Sequence, residues 1–234
     1  TLTLTAANTY SGATAIDGGV VNIRNNAALG TTGGGTTVAS GAALEILGGI
    51  TVGAEALSLS GTGVSSGGAL RNVSGTNTWQ GLITLAAAAE IQSDAGTLTL
   101  APATGDAVTG TFALTVDGAG AVTVSDPIAT GTGTVTKAGS GTLTLTAANT
   151  YSGATAINGG MVNIRNNAAL GTTGGGTTVA SGAALELESA SGITVGAEAL
   201  SLSGTGVSSG GALRNVSGTN IWQGLITLAA AAEI

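Results

Sequence analysis

Two pentapeptides, Gly63-Val64-Ser65-Ser66-Gly67 and Gly206-Val207-Ser208-Ser209-Gly210, carry the G-x-S-x-G spacing of a nucleophile elbow, where a sharp turn lifts a serine hydroxyl towards an acyl group. Acyl transfer needs a base for the serine proton, and the chain has no histidine. Its one lysine, Lys137, falls between the two pentapeptides and cannot serve both alike. In a sequence this rich in Gly and Ser the pentapeptides read as turns. Sugar cleavage would instead need two carboxyl groups about 5–9.5 Å apart. The acids available are Glu45, Glu55 and Glu90, their counterparts Glu186, Glu198 and Glu233, and Asp94, Asp106, Asp117 and Asp126. They are widely spread, and most of the aspartates adjoin Gly, Ala or Pro, where the side chain caps a turn. Asp17 is replaced by Asn158 at the equivalent place, as a turn residue tolerates and an acid or base does not.

Metal and cofactor chemistry find no foothold. There is no His or Cys, and Gly33-Gly34-Gly35, the nearest approach to a calcium-binding nonapeptide, is followed by no aspartate. Gly118-Ala119-Gly120 lacks the third glycine of a dinucleotide fingerprint, and no Walker loop occurs. The sequence therefore predicts no catalytic, metal-binding or cofactor-binding residue, no cofactor and no enzyme activity, and leaves any ligand-binding residue unknown.

Four other features bear on binding. Thr99, Thr123 and Thr144 recur at nearly equal steps and predict one outward column, the pattern of an ice-binding face. The column continues into Asn163 and Glu186, so a solvated strand face is the simpler reading. Arg24 and Glu45 are as far apart as Thr123 and Thr144, and so are Arg165 and Glu186, which predicts a diagonal ion pair in each copy. Trp79 and Trp222 read as core or corner plugs before they read as a sugar-binding groove. Asn72-Val73-Ser74 is a glycosylation sequon, relevant only in a eukaryotic host.

What must position these residues is a duplication. Thr1–Glu45 recurs as Thr142–Glu186 with two changes, Asp17 against Asn158 and Val20 against Met161. Leu47-Gly48 then faces the longer Glu188-Ser189-Ala190-Ser191, and the copies run on in step to Glu90-Ile91 and Glu233-Ile234. Residues 92–141 occur once, and stopping in mid-unit is expected of an excerpt from a longer repetitive polypeptide. A shorter cadence lies inside the unit: Thr97–Leu100, Ala121–Val124 and Thr142–Leu145 each follow a glycine. With strand-like bursts at Leu2–Leu4, Val20–Ile23, Leu44–Ile46, Leu57–Leu59, Leu82–Leu85 and Leu114–Val116, this predicts coils of about 20–24 residues bearing two or three short strands. Ala86–Ala89 is too short for a helix and reads as strand and turn.

Composition agrees. Of 234 residues 42 are Gly and 2 are Pro, 43% are hydrophobic, and only 2% are aromatic, which fits a thin core of Val, Ile, Leu and Ala. A net charge of -7 leaves no phosphate-binding footprint, so nucleic acid is excluded as a partner. No apolar run reaches the roughly 20 residues of a membrane helix, so no membrane insertion of this segment is expected. Absence of Cys leaves the redox compartment open.

Gly141-Thr142-Leu143-Thr144-Leu145-Thr146-Ala147-Ala148-Asn149-Thr150-Tyr151-Ser152-Gly153, continued through Thr155–Ile164, resembles the autotransporter passenger-associated strand repeat, and the first copy carries the same words at Thr1–Gly12 and Thr14–Ile23. That resemblance implies a right-handed parallel β-helix on the bacterial outer surface or in the extracellular space, of the kind found in large repetitive adhesin-like proteins, and brings no catalytic residues. No barrel-like translocator pattern lies within these residues. The expectation is an all-β parallel β-helix forming one continuous solenoid over residues 1–234, with a first unit at 1–141 and a partial second at 142–234. Its expected role is a structural, non-enzymatic shaft, fibre or stalk, stacking head to tail on neighbouring copies of itself. The alternatives are a carbohydrate-binding or carbohydrate-active β-helix and, behind it, an ice-binding one.

Overall fold

Alternating apolar and small polar residues, interrupted by Gly, Asn and Asp, allow only short strands, and the 26 present run from two to seven residues with one of eleven. The computed structural model describes residues 1–234 and holds no α-helix, only two three-residue 3-10 turns. Every strand pairing is parallel. The chain winds as a parallel β-solenoid with three faces, visited in the order I, II, III. Face I starts at Leu2–Leu4 and passes through Gly19–Ile23, Ala42–Leu47 and Leu70–Ser74 to end at Ile226–Ala232. Face II runs from Thr51–Val52 through Thr76–Trp79 and Thr97–Leu100 to Leu213–Ser217. Face III holds Thr14–Ile16, Thr36–Val38, Leu57–Gly61, Val108–Gly110 and Ile128–Ala129. By chain order Thr194–Val195 and Ile221–Trp222 prolong it.

One inward column on face I shows how the core is built. Leu2, Val21, Leu44, Leu70, Ile91, Val116, Lys137, Ile157, Val179, Leu202 and Leu228 stand in register, one per coil. Coil length read from this column runs from the short step between Leu2 and Val21 to the long one between Leu44 and Leu70, a wider spread than the sequence cadence implies. Such columns join 47 buried apolar residues into one thin core. Each fully buried Leu or Ile contributes about 1.5–3 kcal/mol, and most of its contacts lie on the coils directly above and below. At one corner of each copy, between faces II and III in the first and between faces III and I in the second, the chain turns where only glycine fits. A Cβ on Gly81 would stand 1.7 Å from the Glu55 carbonyl oxygen of the preceding coil, and one on Gly224 would stand 1.7 Å from that of Glu198.

Ala86–Ala89 lies within the longest strand, Ile83–Ser93, which turns a corner without breaking. Its start pairs with Leu57–Leu59 on face III and its end with Leu70–Asn72 on face I.

The two copies do not occupy the same faces. Leu2–Leu4 lies on face I, whereas its counterpart in Thr142–Leu145 lies on face II; Thr14–Ile16 lies on face III and its counterpart Thr155–Ile157 on face I. The unit therefore measures six and a third coils. Each copy is turned by one face relative to the last.

Candidate functional site

The outward column of face I sets Asn22, Glu45, Arg71 and Gln92 in register on successive coils, because odd and even strand residues point to opposite sides. Glu45 accepts a hydrogen bond from Asn22 Nδ2 at 3.0 Å and meets Arg71 Nη1 at 3.1 Å. Arg71 also grips Asp94 with two nitrogens, Nε at 2.7 Å and Nη2 at 2.6 Å, and the Asp94 bond is the main reason its guanidinium is held even more firmly protonated than usual. Gln92 donates to the same carboxylate. In the second copy the equivalent set stands on face II: Arg214 meets Glu186 at 3.0 Å, and Asn163 donates to Glu186 at 3.2 Å and to Glu188 at 2.8 Å.

The diagonal pairs expected from the sequence spacing do not form. The coil between these strands is two positions longer than the step that separates Arg24 from Glu45, so Asn22 faces Glu45 and Asn163 faces Glu186. Arg24 binds Asn22 Oδ1 at 3.0 Å and reaches no carboxylate, whereas Arg165 binds Glu188 at 3.0 Å. Glu45 and Glu186 take their arginines from the following coil instead.

The G-x-S-x-G pentapeptides are turns between two strands. Val64–Ser66 joins Leu57–Gly61 to Leu70–Ser74, and no helix follows as an elbow requires. Ser65 and Ser66 are left-handed at φ 53° and 56°, as are Ser208 and Ser209 at 52° and 56°. Gly63 closes the turn against Gly68, whose carbonyl oxygen would lie 2.1 Å from an added Cβ. Lys137 stands three coils further along face I, points into the core, and donates to the Gly139 carbonyl oxygen. Neither serine has a base beside it.

The acids fall into two environments. Glu45, Asp94 and Glu188 are neutralised by arginines near the surface and the more deeply set Glu186 by Arg214, and Asp117 accepts from the Gly118 amide at 2.6 Å as a turn cap. Asp17 and Glu233 are exposed, and Asp106 and Asp126 are half-buried outside strands. Glu55 and Glu198, by contrast, are buried, each accepting one hydroxyl at 2.8 Å from Thr36 or Thr177. Burial raises both carboxyl groups above their usual range, against the smaller opposing effect of the threonine. Burial and then the neighbouring Asp117 charge push Glu90 up to about 7. Burial pushes the Lys137 ammonium down to about 8, opposed by Asp117. No cluster of three or more acids forms that could hold a metal ion.

The threonine column is real and longer than expected. Thr51, Thr78, Thr99, Thr123 and Thr144 stand in register on face II before Asn163 and Glu186 end it. Trp79 is a core plug, fully buried, while Trp222 is partly exposed and donates to the Glu198 carbonyl oxygen at 3.1 Å. Asn72 is buried too, donating to Ser93 Oγ and the Ala95 carbonyl oxygen at 3.0 Å each, which closes the sequon to modification in the folded chain.

Three clefts mark the surface. Two are the same cleft twice over, about 180 Å³ beside Thr37 and Ser58 on face III and about 200 Å³ beside Thr178 and Ser201 on face I. The third, of about 420 Å³, opens on the last coil among Leu187, Leu213, Asn220, Trp222 and Ile234. Sequence reasoning missed the inward Lys137, although Val135-Thr136-Lys137 aligns with Leu114-Thr115-Val116 and alternation alone puts Lys137 where Val116 points inward.

No curated protein and no solved structure matches the chain. A family model does: the passenger-associated-transport-repeat matches residues 1–23 and 135–164. The first match is the opening coil, from face I round to face I, and the second contains the same words one face further on. The matched residues lie in both copies of this β-solenoid, and each match is similar to the passenger-associated-transport-repeat.

Proposed function

We propose that the chain is a structural, non-catalytic shaft segment of a bacterial surface or extracellular solenoid, of adhesin-like or fibre-like type. The observation that carries this is the unbroken stacking of face I from Leu2–Leu4 to Ile226–Ala232, through both copies and through residues 92–141 between them. Because each coil is buried by its neighbours, length can grow without enlarging the core. Four of the acids are held in ion pairs, Asp117 caps a turn, and Glu55 and Glu198 accept buried threonine hydroxyls. The passenger repeat supports display outside the cell.

A length series tests this reading. Chains with one, two and three added sequence units should grow in maximum dimension by about 30 Å per unit in small-angle scattering, at about 4.8 Å per coil, with unchanged cross-section. Compact particles whose cross-section rises with mass would overturn the shaft.

A further inference from the structure

Asp17-Gly18-Gly19 in the first copy is Asn158-Gly159-Gly160 in the second, and no other asparagine of the chain precedes a glycine. A glycine has no Cβ to shield its amide nitrogen, so that nitrogen can approach the carboxamide carbon of the residue before it. The turn lies inside the stack, at the corner between Thr155–Ile157 on face I and Met161–Ile164 on face II. Its two ends are anchored to the coil below: the Asn158 amide donates to the Lys137 carbonyl oxygen at 2.8 Å and the Met161 amide to that of Gly141 at 3.1 Å. Between these anchors both reacting groups are free. The Asn158 side chain is exposed and makes no hydrogen bond, and the Gly159 amide donates to no acceptor. Every other asparagine side chain makes at least one hydrogen bond. Asn22, Asn72, Asn77, Asn149 and Asn163 are buried as well.

We propose that Asn158 is a site of spontaneous deamidation in the folded chain. The Gly159 backbone nitrogen gives its proton to water or hydroxide and attacks Cγ of Asn158. The new C–N bond closes a succinimide ring, and the side-chain nitrogen takes up a proton and leaves as ammonia. Water then opens the ring. Breaking the Cγ–N bond restores the peptide and leaves an aspartate; breaking the bond at the backbone carbonyl leaves an isoaspartate, with the main chain routed through the side chain. The net change is amide plus water to carboxylic acid plus ammonia. The first copy shows that this turn accepts the acid, since Asp17 stands there exposed. The second copy tolerates the charge too. Asp117, Ala138 and Asn158 follow the registered residues Val116, Lys137 and Ile157, so the new carboxylate stands two coils from Asp117. At about 10 Å their repulsion is largely screened at physiological salt. Each converted turn adds one negative charge to a corner between faces I and II, whatever the role of the rod.

Peptide mapping of the full chain tests this. The folded protein is held in buffer at pH 8, sampled over time, digested under acidic conditions that stop the reaction, and read by mass spectrometry. The peptide holding Asn158 should convert to aspartyl and isoaspartyl forms at least tenfold faster than any peptide holding another asparagine, and the conversion should slow at pH 6. Asn158→Gln, whose longer side chain closes a ring far less readily, should abolish conversion at this turn with circular dichroism unchanged. A free peptide of the sequence Thr155–Ile164 is the reference for the unconstrained reaction. An Asn158 amide that survives in the folded chain after the free peptide has fully converted would overturn the proposal, because the anchored turn would then hold the two groups apart. Equal conversion at hydrogen-bonded asparagines, or acid formed at Asn158 with no isoaspartate, would overturn it as well.

Discussion

Glu188 binds Arg165 across one coil at 3.0 Å, and the residue that takes the place of Glu188 in the first copy is Leu47. Arg24, the counterpart of Arg165, keeps only the bond to Asn22 that Arg165 also makes to Asn163. One difference between nearly identical copies adds or removes one ion pair, which makes the molecule its own control.

Leu47→Glu should recreate that pair in the first copy. The site is partly solvent-exposed, so the gain is about 0–1 kcal/mol and falls with added salt. A denaturant double-mutant cycle with Arg24→Ala measures it, and a coupling that is salt-independent or absent would count against the alignment of Arg24 with Leu47.

Stability should pass through a shallow minimum between pH 7 and 8. Glu90 is raised to about 7, so its unfolded form ionises first, and the stability fully present below about pH 4.5 is lost as pH rises through 7. Lys137 is lowered to about 8, so its contribution is fully present above about pH 10.5 and is lost as pH falls through 8. Glu55 and Glu198, also raised, deepen the acid-side slope. Glu90→Gln should flatten the fall below pH 7, and thermal melts from pH 4 to 10 give the curve.

Lys137→Ile should stabilise the chain at pH 7 by roughly 1–3 kcal/mol, since it exchanges a desolvated ammonium for the side chain that Ile157 already presents in the same column. The rise in stability above pH 8 should vanish with it. A destabilised Lys137→Ile at pH 7 would show that the Nζ bond to the Gly139 carbonyl oxygen outweighs the burial of its charge.

Tyr151→Phe and Tyr10→Phe delete the same hydroxyl in two settings. Each tyrosine meets its threonine at 2.8 Å, Tyr151 with Thr155 in the interior and Tyr10 with Thr14 at the surface. The buried loss should cost about 1 kcal/mol and the exposed one a few tenths, read from urea midpoints.

Gly81→Ala should cost about 2–4 kcal/mol, because its Cβ has no room beside the Glu55 carbonyl oxygen, whereas Gly12→Ala meets nothing within 4 Å and should stay within about 0.5 kcal/mol. Hydrogen exchange at Glu55 and its neighbours would locate the damage.

Much of this architecture is legible in the sequence, for reasons that also set the limit. Leu98-Thr99-Leu100 and Val122-Thr123-Val124 announce strands by alternation, and their spacing gives the coil. Leu57–Leu59 and Leu82–Leu85 announce the third face, but Thr14–Ile16, Thr36–Val38 and Ile128–Ala129 carry too few apolar residues to stand out, so that face is read only in part and the turn between copies is missed. Ion-pair partners are misassigned from spacing alone because a pairing register needs the length of its own coil. The step from Asn22 to Glu45 exceeds the step from Thr123 to Thr144, and borrowing the shorter one shifts Arg24 by two positions. Burial of Glu55 and Glu198 is hidden because each follows a Gly-Ala turn that looks solvated, while the fold carries the carboxyl group inward to a threonine on the preceding coil.

A unit of six and a third coils closes its azimuth only after three units, nineteen coils and about 90 Å. A run of such units is a screw. Whatever one unit displays, the cleft beside Ser58 or the ladder at Arg71, points to a new compass bearing after each rise of about 30 Å. A flat surface laid along the rod would meet the same feature once per full turn of that screw, whereas a partner wrapping around it would meet every one.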